Sequence, residues 1–171
     1  MHYRTVMIFP QFSNLDVLQR IREAYDPLAE LVRPHITLVF SFLSPMRNEE
    51  LLRLLERELR MVRPFRIVLH GVSRHSDASG HYLYLNVEHG ADKLQRLHSI
   101  FYENAFRKFD EGVEYVPHIT LGKFRDAQAM EDAYDRLKEL DETFQTTVYR
   151  VSVEEIGDWG ESILLYEIPL R

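Results

Sequence analysis

The chain has 171 residues, 45% hydrophobic and 28% charged, and a net charge of −6, which suits one globular unit and excludes a long disordered tract. The acidic balance makes a general phosphate-attracting nucleic-acid coat a poor reading, although a small phosphate-bearing substrate needs only a few local donors. There is no cysteine, which removes disulfides, thiolate nucleophiles and cysteine-held metals. The N-terminus shows no charged leader before an apolar signal core, and the apolar runs are too short for a bilayer. A soluble cytoplasmic protein is the expectation, with oligomeric state left open.

Residues 3–9 read as a strand closed by Pro10, and Ser13 or Asn14 then caps a helix carrying Leu15, Leu18, Ile21 and Tyr25. That helix stops near Asp26-Pro27, because proline disfavours helix in the residue before it. A strand over about 34–42 contains Pro34-His35-Ile36-Thr37-Leu38. Strand alternation puts His35 and Thr37 on one face, with Ile36, Leu38, Phe40 and Phe42 on the core face. Pro45 opens a helix whose buried stripe is Leu51, Leu52, Leu55, Leu59 and Val62, and Pro64 breaks it before a strand at about 65–73.

The turn-rich stretch 75–80 lies near the middle of the chain, and the division between lobes is expected there: lobe 1 about 1–76, lobe 2 about 77–171. Interleaving at the termini, or a simple hairpin at 75–80, is compatible with the same residues.

The second half repeats the order. Residues 81–88 alternate, with Leu83, Leu85 and Val87 opposite Tyr82, Tyr84 and Asn86. A helix over about 91–107 follows, and then a strand over about 115–124 that contains Pro117-His118-Ile119-Thr120-Leu121, the first motif letter for letter. Asp126 caps a further helix, a long strand covers about 144–156, Gly157-Asp158-Trp159-Gly160 turns, and a last strand runs from Ile163 to Pro169. The same element carries the motif in both halves, which argues for an internal duplication. The expected fold is α/β of the α+β kind: two mostly antiparallel sheets facing a central cleft, with helices outside.

Two His-x-Thr strands brought together put two imidazoles and two hydroxyls into one cleft. Imidazole titrates near neutrality, so one can take a proton from attacking water while the other protonates a departing alkoxide. Thr37 and Thr120 could donate to the non-bridging oxygens, where charge concentrates in the transition state. Activity of such a pair is expected to be bell-shaped in pH. No carboxylate joins the histidines at ligand spacing, so no metal and no cofactor is expected. A lone strand histidine is more often structural, and threonine favours strands anyway; the repeated pairing is what lifts His35, His118, Thr37 and Thr120 above that reading. His2, His70, His75, His81, His89 and His98 read as structural or solvated. Arg33, Lys123 and Arg125 flank the motifs and could hold a second phosphate, with ordinary surface charge the commoner role. Tyr84, Tyr115, Phe12 and Trp159 could stack on a base, with core packing the commoner role.

The paired His35-Ile36-Thr37 and His118-Ile119-Thr120 resemble the two-histidine phosphoesterase superfamily, which includes the 2'-5' RNA ligases and the cyclic nucleotide phosphodiesterases of RNA processing. Tyr25-Asp26-Pro27 is similar to a branch of small bacterial members. The resemblance implies a metal-independent enzyme with His35 and His118 catalytic and Thr37 and Thr120 substrate-binding. It implies hydrolysis, or the reverse joining, of a cyclic phosphate or 2'-5' linkage on an RNA end or small nucleotide. A non-catalytic nucleotide or RNA-end binding protein with the same cleft is the alternative.

Overall fold

A computed structural model describes all residues, 1–171. The elements run β1 (His2–Ile8), α1 (Leu15–Tyr25), β2 (Ile36–Ser44), α2 (Asn48–Leu59), β3 (Phe65–Asp77), β4 (Gly80–His89), α3 (Ala91–Glu103), a 3-10 turn (Arg107–Phe109), β5 (His118–Phe124), α4 (Ala127–Leu137), β6 (Phe144–Val148), β7 (Arg150–Ile156) and β8 (Ser162–Pro169). They form two four-stranded antiparallel sheets, ordered β2-β1-β7-β8 and β5-β4-β3-β6. Each motif strand is the edge of its sheet, and these two edges lie against each other. The α+β architecture of two antiparallel sheets with helices matches the expectation.

The division between the sheets falls elsewhere than at residues 76 and 77. The 75–80 stretch is the tip of the β3–β4 hairpin, wholly inside the second sheet. The first sheet is built from both ends of the chain, and the middle of the chain makes the second. The supposed long strand over 144–156 is two strands, broken at Tyr149, where the chain passes from one sheet to the other. The buried apolar positions change parity there, from Phe144 and Val148 to Val151 and Val153, and the pairing partners change with them, from β3 to β1.

The helices reinforce the crossing. α1 follows a strand of the first sheet but packs on β5 of the second, while α3 follows β4 of the second and packs on β2 of the first. Close approach of α1 needs Gly122, where a Cβ would fall 2.8 Å from the Cβ of Tyr25. Thirty buried side chains drawn from both sheets and all four helices form one cluster, so the halves share a core and neither folds around its own.

One core assignment is corrected. Phe40 is 40% exposed, and Val39 is fully buried in its stead. β2 is irregular against β1, with register shifts between Arg4 and Val6 and between Val6 and Met7. The extra residue flips the alternation part-way along the strand. The Thr5 hydroxyl donates to the Val39 carbonyl at 2.8 Å within this irregular stretch. At the other predicted boundary the sequence signal holds: the Asp126 carboxylate accepts from the Gln128 N–H at 2.9 Å and caps α4.

Candidate active site

His35 sits in the bend that leads into β2, and His118 is the first residue of β5. Ile36, Leu38, Ile119 and Leu121 are buried on the opposite face in both copies, which turns each imidazole and its threonine away from the core. The His35 Nδ1 lies 2.8 Å from the Arg33 carbonyl, and the His118 Nδ1 lies 2.6 Å from the Val116 carbonyl. A carbonyl only accepts, so Nδ1 is the protonated nitrogen in both rings and Nε2 is left for other chemistry. The two rings are near enough that charge on His35 opposes charge on His118.

Burial is the main cause that lowers both imidazoles below the usual histidine value. For His118 the value falls to about 4, with His35 and His75 adding repulsion and the Val116 carbonyl opposing the shift. For His35 the Arg33 carbonyl opposes it, Arg22 adds to it and Asp26 counters. Burial therefore biases both rings toward the neutral form. Thr37 and Thr120 stand one strand repeat beyond the histidines and are partly exposed. The Thr37 carbonyl, not its hydroxyl, is the group engaged by the protein, accepting from Tyr115 Oη at 2.8 Å.

The walls combine Tyr84 and Tyr115, two of the stacking candidates, with His75, His98 and Tyr102, which sequence reasoning left as structural, solvated or unassigned. Tyr84 stacks on His118 with ring centroids 3.5 Å apart, and His75 stacks on the other side of Tyr84 at 5.1 Å. Tyr84 lies opposite Thr120, and Asn86 opposite His118, in the β4–β5 ladder. The alternation of Tyr82, Tyr84 and Asn86 against Leu83 and Leu85 carried this signal, but His75 needed the β3–β4 pairing to become visible. His98 Nδ1 donates to the Leu38 carbonyl at 2.9 Å and stacks flat on Tyr115 at 3.9 Å, while Tyr102 Oη accepts from the Phe40 N–H at 3.0 Å. Three side chains from elsewhere in the chain thus occupy the outer edge of β2 that no strand covers.

Of the other candidates, Phe12 is core, and Trp159 is 85% exposed at the β7–β8 turn. Lys123 lies over Tyr82, its amine 5.3 Å from the ring centroid, and Arg125 is exposed just past β5. Behind His35, the buried Arg22 grips Asp26 through Nε and Nη2, at 2.9 and 2.7 Å, and donates from Nη1 to the Val32 carbonyl at 2.8 Å. The Asp26 carboxylate also accepts from the Leu28 N–H at 3.0 Å, so this pair ties down the loop that delivers His35. No three His, Asp or Glu side chains converge as a metal-binding set. No helix is long and apolar enough to cross a membrane.

Residues 9–158, most of the chain, match the family model of the 2'-5' RNA ligase superfamily. The chain belongs to the 2'-5' RNA ligase superfamily. It is an enzyme of the two-histidine phosphoesterase type. "Putative phosphoesterase GK0864" of Geobacillus kaustophilus is 33% identical over 161 residues, covering 90% of both chains. Among solved structures, TT0787 of Thermus thermophilus superposes with a TM-score of 0.63 at 18% identity, covering 99% of this chain and 98% of the other. Escherichia coli LigT complexed with NADP+ gives 0.61 at 17% identity, covering 99% and 98%, and LigT has also been crystallised with 3'-AMP. These structural likenesses concern the fold.

Proposed function

We propose that this superfamily member acts on a cyclic phosphate or 2'-5' phosphodiester of an RNA end or small nucleotide, without a metal, through His35 and His118. The observation that carries this reading is the matched tautomer: each Nδ1–H is tied to the carbonyl two residues back, leaving both Nε2 atoms as the reactive nitrogens. One imidazole takes the proton of the attacking water as its oxygen bonds to phosphorus. The other, protonated as the phosphate enters, gives its proton to the alkoxide as the P–O bond breaks. Thr37 and Thr120 donate to the non-bridging oxygens, a stabilisation that is stronger where water is excluded. With a 5'-hydroxyl in place of water, the same groups form a 2'-5' phosphodiester, one imidazole taking the hydroxyl proton and the other giving its proton to the 3'-oxygen as the P–O3' bond of the cyclic phosphate breaks. Small nucleotides as substrates are supported by the nucleotide complexes of LigT and by the acidic balance of the chain.

The test is turnover of 2',3'-cyclic nucleotides, 2'-5'-linked dinucleotides and cyclic-phosphate RNA ends in chelator. Wild type is expected to turn over at least one class, with losses of about 10²–10⁴-fold in His35→Ala and His118→Ala. Binding without turnover would replace the enzymatic reading of this cleft with a nucleotide-binding one. Turnover that a chelator abolishes and a divalent ion restores would overturn the metal-free scheme.

A further inference from the structure

Beside His35 lies a pocket that this acid–base chemistry leaves unused. The end of β1, the bend before β2 and the passage from β6 to β7 enclose a cavity of about 400 Å³. Phe9, Gln11, Arg33, Thr147, Tyr149 and Arg150 are on its wall. Phe9 also meets the His35 ring edge-on, with centroids 6.3 Å apart, and the Arg33 guanidinium lies over Phe9 at 4.2 Å. One aromatic ring therefore separates a guanidinium from the imidazole.

The charges in this pocket do not cancel. Arg150 is paired with Glu167 at 2.9 Å, and both line the cavity. Arg33 is exposed and has no carboxylate within ion-pair distance. Glu154 feels the Arg33 charge, but it is 3% exposed and accepts from the Ser162 hydroxyl, and burial pushes its carboxyl up. The pocket thus keeps a surplus cation, amid hydroxyls and an amide, in a chain whose net charge is −6. A guanidinium with its donors free and its plane stacked on an aromatic ring suits a phosphate.

We infer that the Arg33 pocket is a second-phosphate subsite, which receives the phosphate one link away from the reacting phosphorus. The preferred substrate is then a nucleotide carrying two phosphate groups, such as a cyclic-phosphate end with its internucleotide phosphate, over a cyclic mononucleotide. This inference rests on the reading of the His35–His118 cleft as the phosphodiester site, and it names the substrate of that cleft.

Equilibrium binding of adenosine 3',5'-bisphosphate and adenosine 3'-monophosphate, measured by calorimetry, tests it without requiring turnover. Wild type is expected to bind the bisphosphate about five- to tenfold more tightly, the size that an exposed charge-assisted contact supports. In Arg33→Gln that ratio falls toward one, whereas Arg136→Gln, which removes an exposed charge on α4, keeps the wild-type ratio. Equal affinities in wild type, no binding of the bisphosphate, or an unchanged ratio in Arg33→Gln would each overturn the subsite. Failure of the catalytic reading shows separately, as absent turnover of every cyclic substrate while the affinity ratio persists.

Discussion

The two motif strands carry the same five residues and tie their imidazoles to the backbone in the same way, but their walls differ. His118 is stacked face to face on Tyr84, which is itself backed by His75. His35 meets only the edge of Phe9, and the buried Arg22–Asp26 pair stands behind it. One imidazole is thus set by aromatic packing and the other by a charged anchor in the preceding loop. Both copies share the hydrogen bond that fixes the tautomer, on which the proposed chemistry of both rings depends.

The strongest way to break the comparison is to remove each ring in turn. His35→Ala and His118→Ala are each expected to lower kcat/KM by about 10²–10⁴-fold on the same substrate. A loss confined to one of them would show that the second motif is structural.

Next in size, the two walls should fail differently. Asp26→Ala leaves the Arg22 charge buried without its partner, an expected loss of about 3–5 kcal/mol in urea unfolding. Tyr84→Ala removes no charge and opens His118 to water. Its imidazole should then rise from about 4 toward the ordinary histidine value, followed by NMR titration of the ring protons. Phe9→Ala should move His35 less, because an edge contact shields less of the ring and Arg22 remains.

Proton linkage sharpens the pair as a whole. Both histidines titrate lower in the folded chain than in the unfolded one, so the unfolded state binds more protons across that window. Stability is therefore expected to be full above the ordinary histidine value of about 6.5 and to fall as pH drops from there toward about 4. Urea midpoints at a series of pH values check this, and the His35→Ala/His118→Ala double variant should flatten the slope. If one ring must be protonated, as in the proposed reaction, the same lowering is expected to put the optimum of kcat/KM on the acid side of neutrality, read from a pH–rate profile.

The smallest effect belongs to the edge of β2. Tyr115→Phe removes the bond to the Thr37 carbonyl and is expected to cost about 1 kcal/mol, read from the urea midpoint. No change at all would mean that water replaces the phenol there.

The amino-acid sequence alone determined the local parts of this protein. The repeated pentapeptide announced the two imidazoles and their hydroxyls, the periodicity announced four helices and most strands, and Asp126 announced its helix. Each of those signals is carried by neighbours in the chain, and so it survives without tertiary information. Which sheet a strand joins is a different kind of fact. Residues 144–156 read as one extended strand-forming run, yet Tyr149 separates a strand of one sheet from a strand of the other. Phe40 left the core because register shifts against β1 flipped the alternation, which nothing within β2 encodes. His75 and His98 read as structural or solvated, and Arg33 as a flanking charge that could hold a second phosphate, until pairing and packing put them against Tyr84, Leu38 and Phe9. Alternation and capping act over a few residues, whereas sheet membership, a shared core and a pocket between distant segments depend on which surfaces meet, and only the tertiary structure decides that.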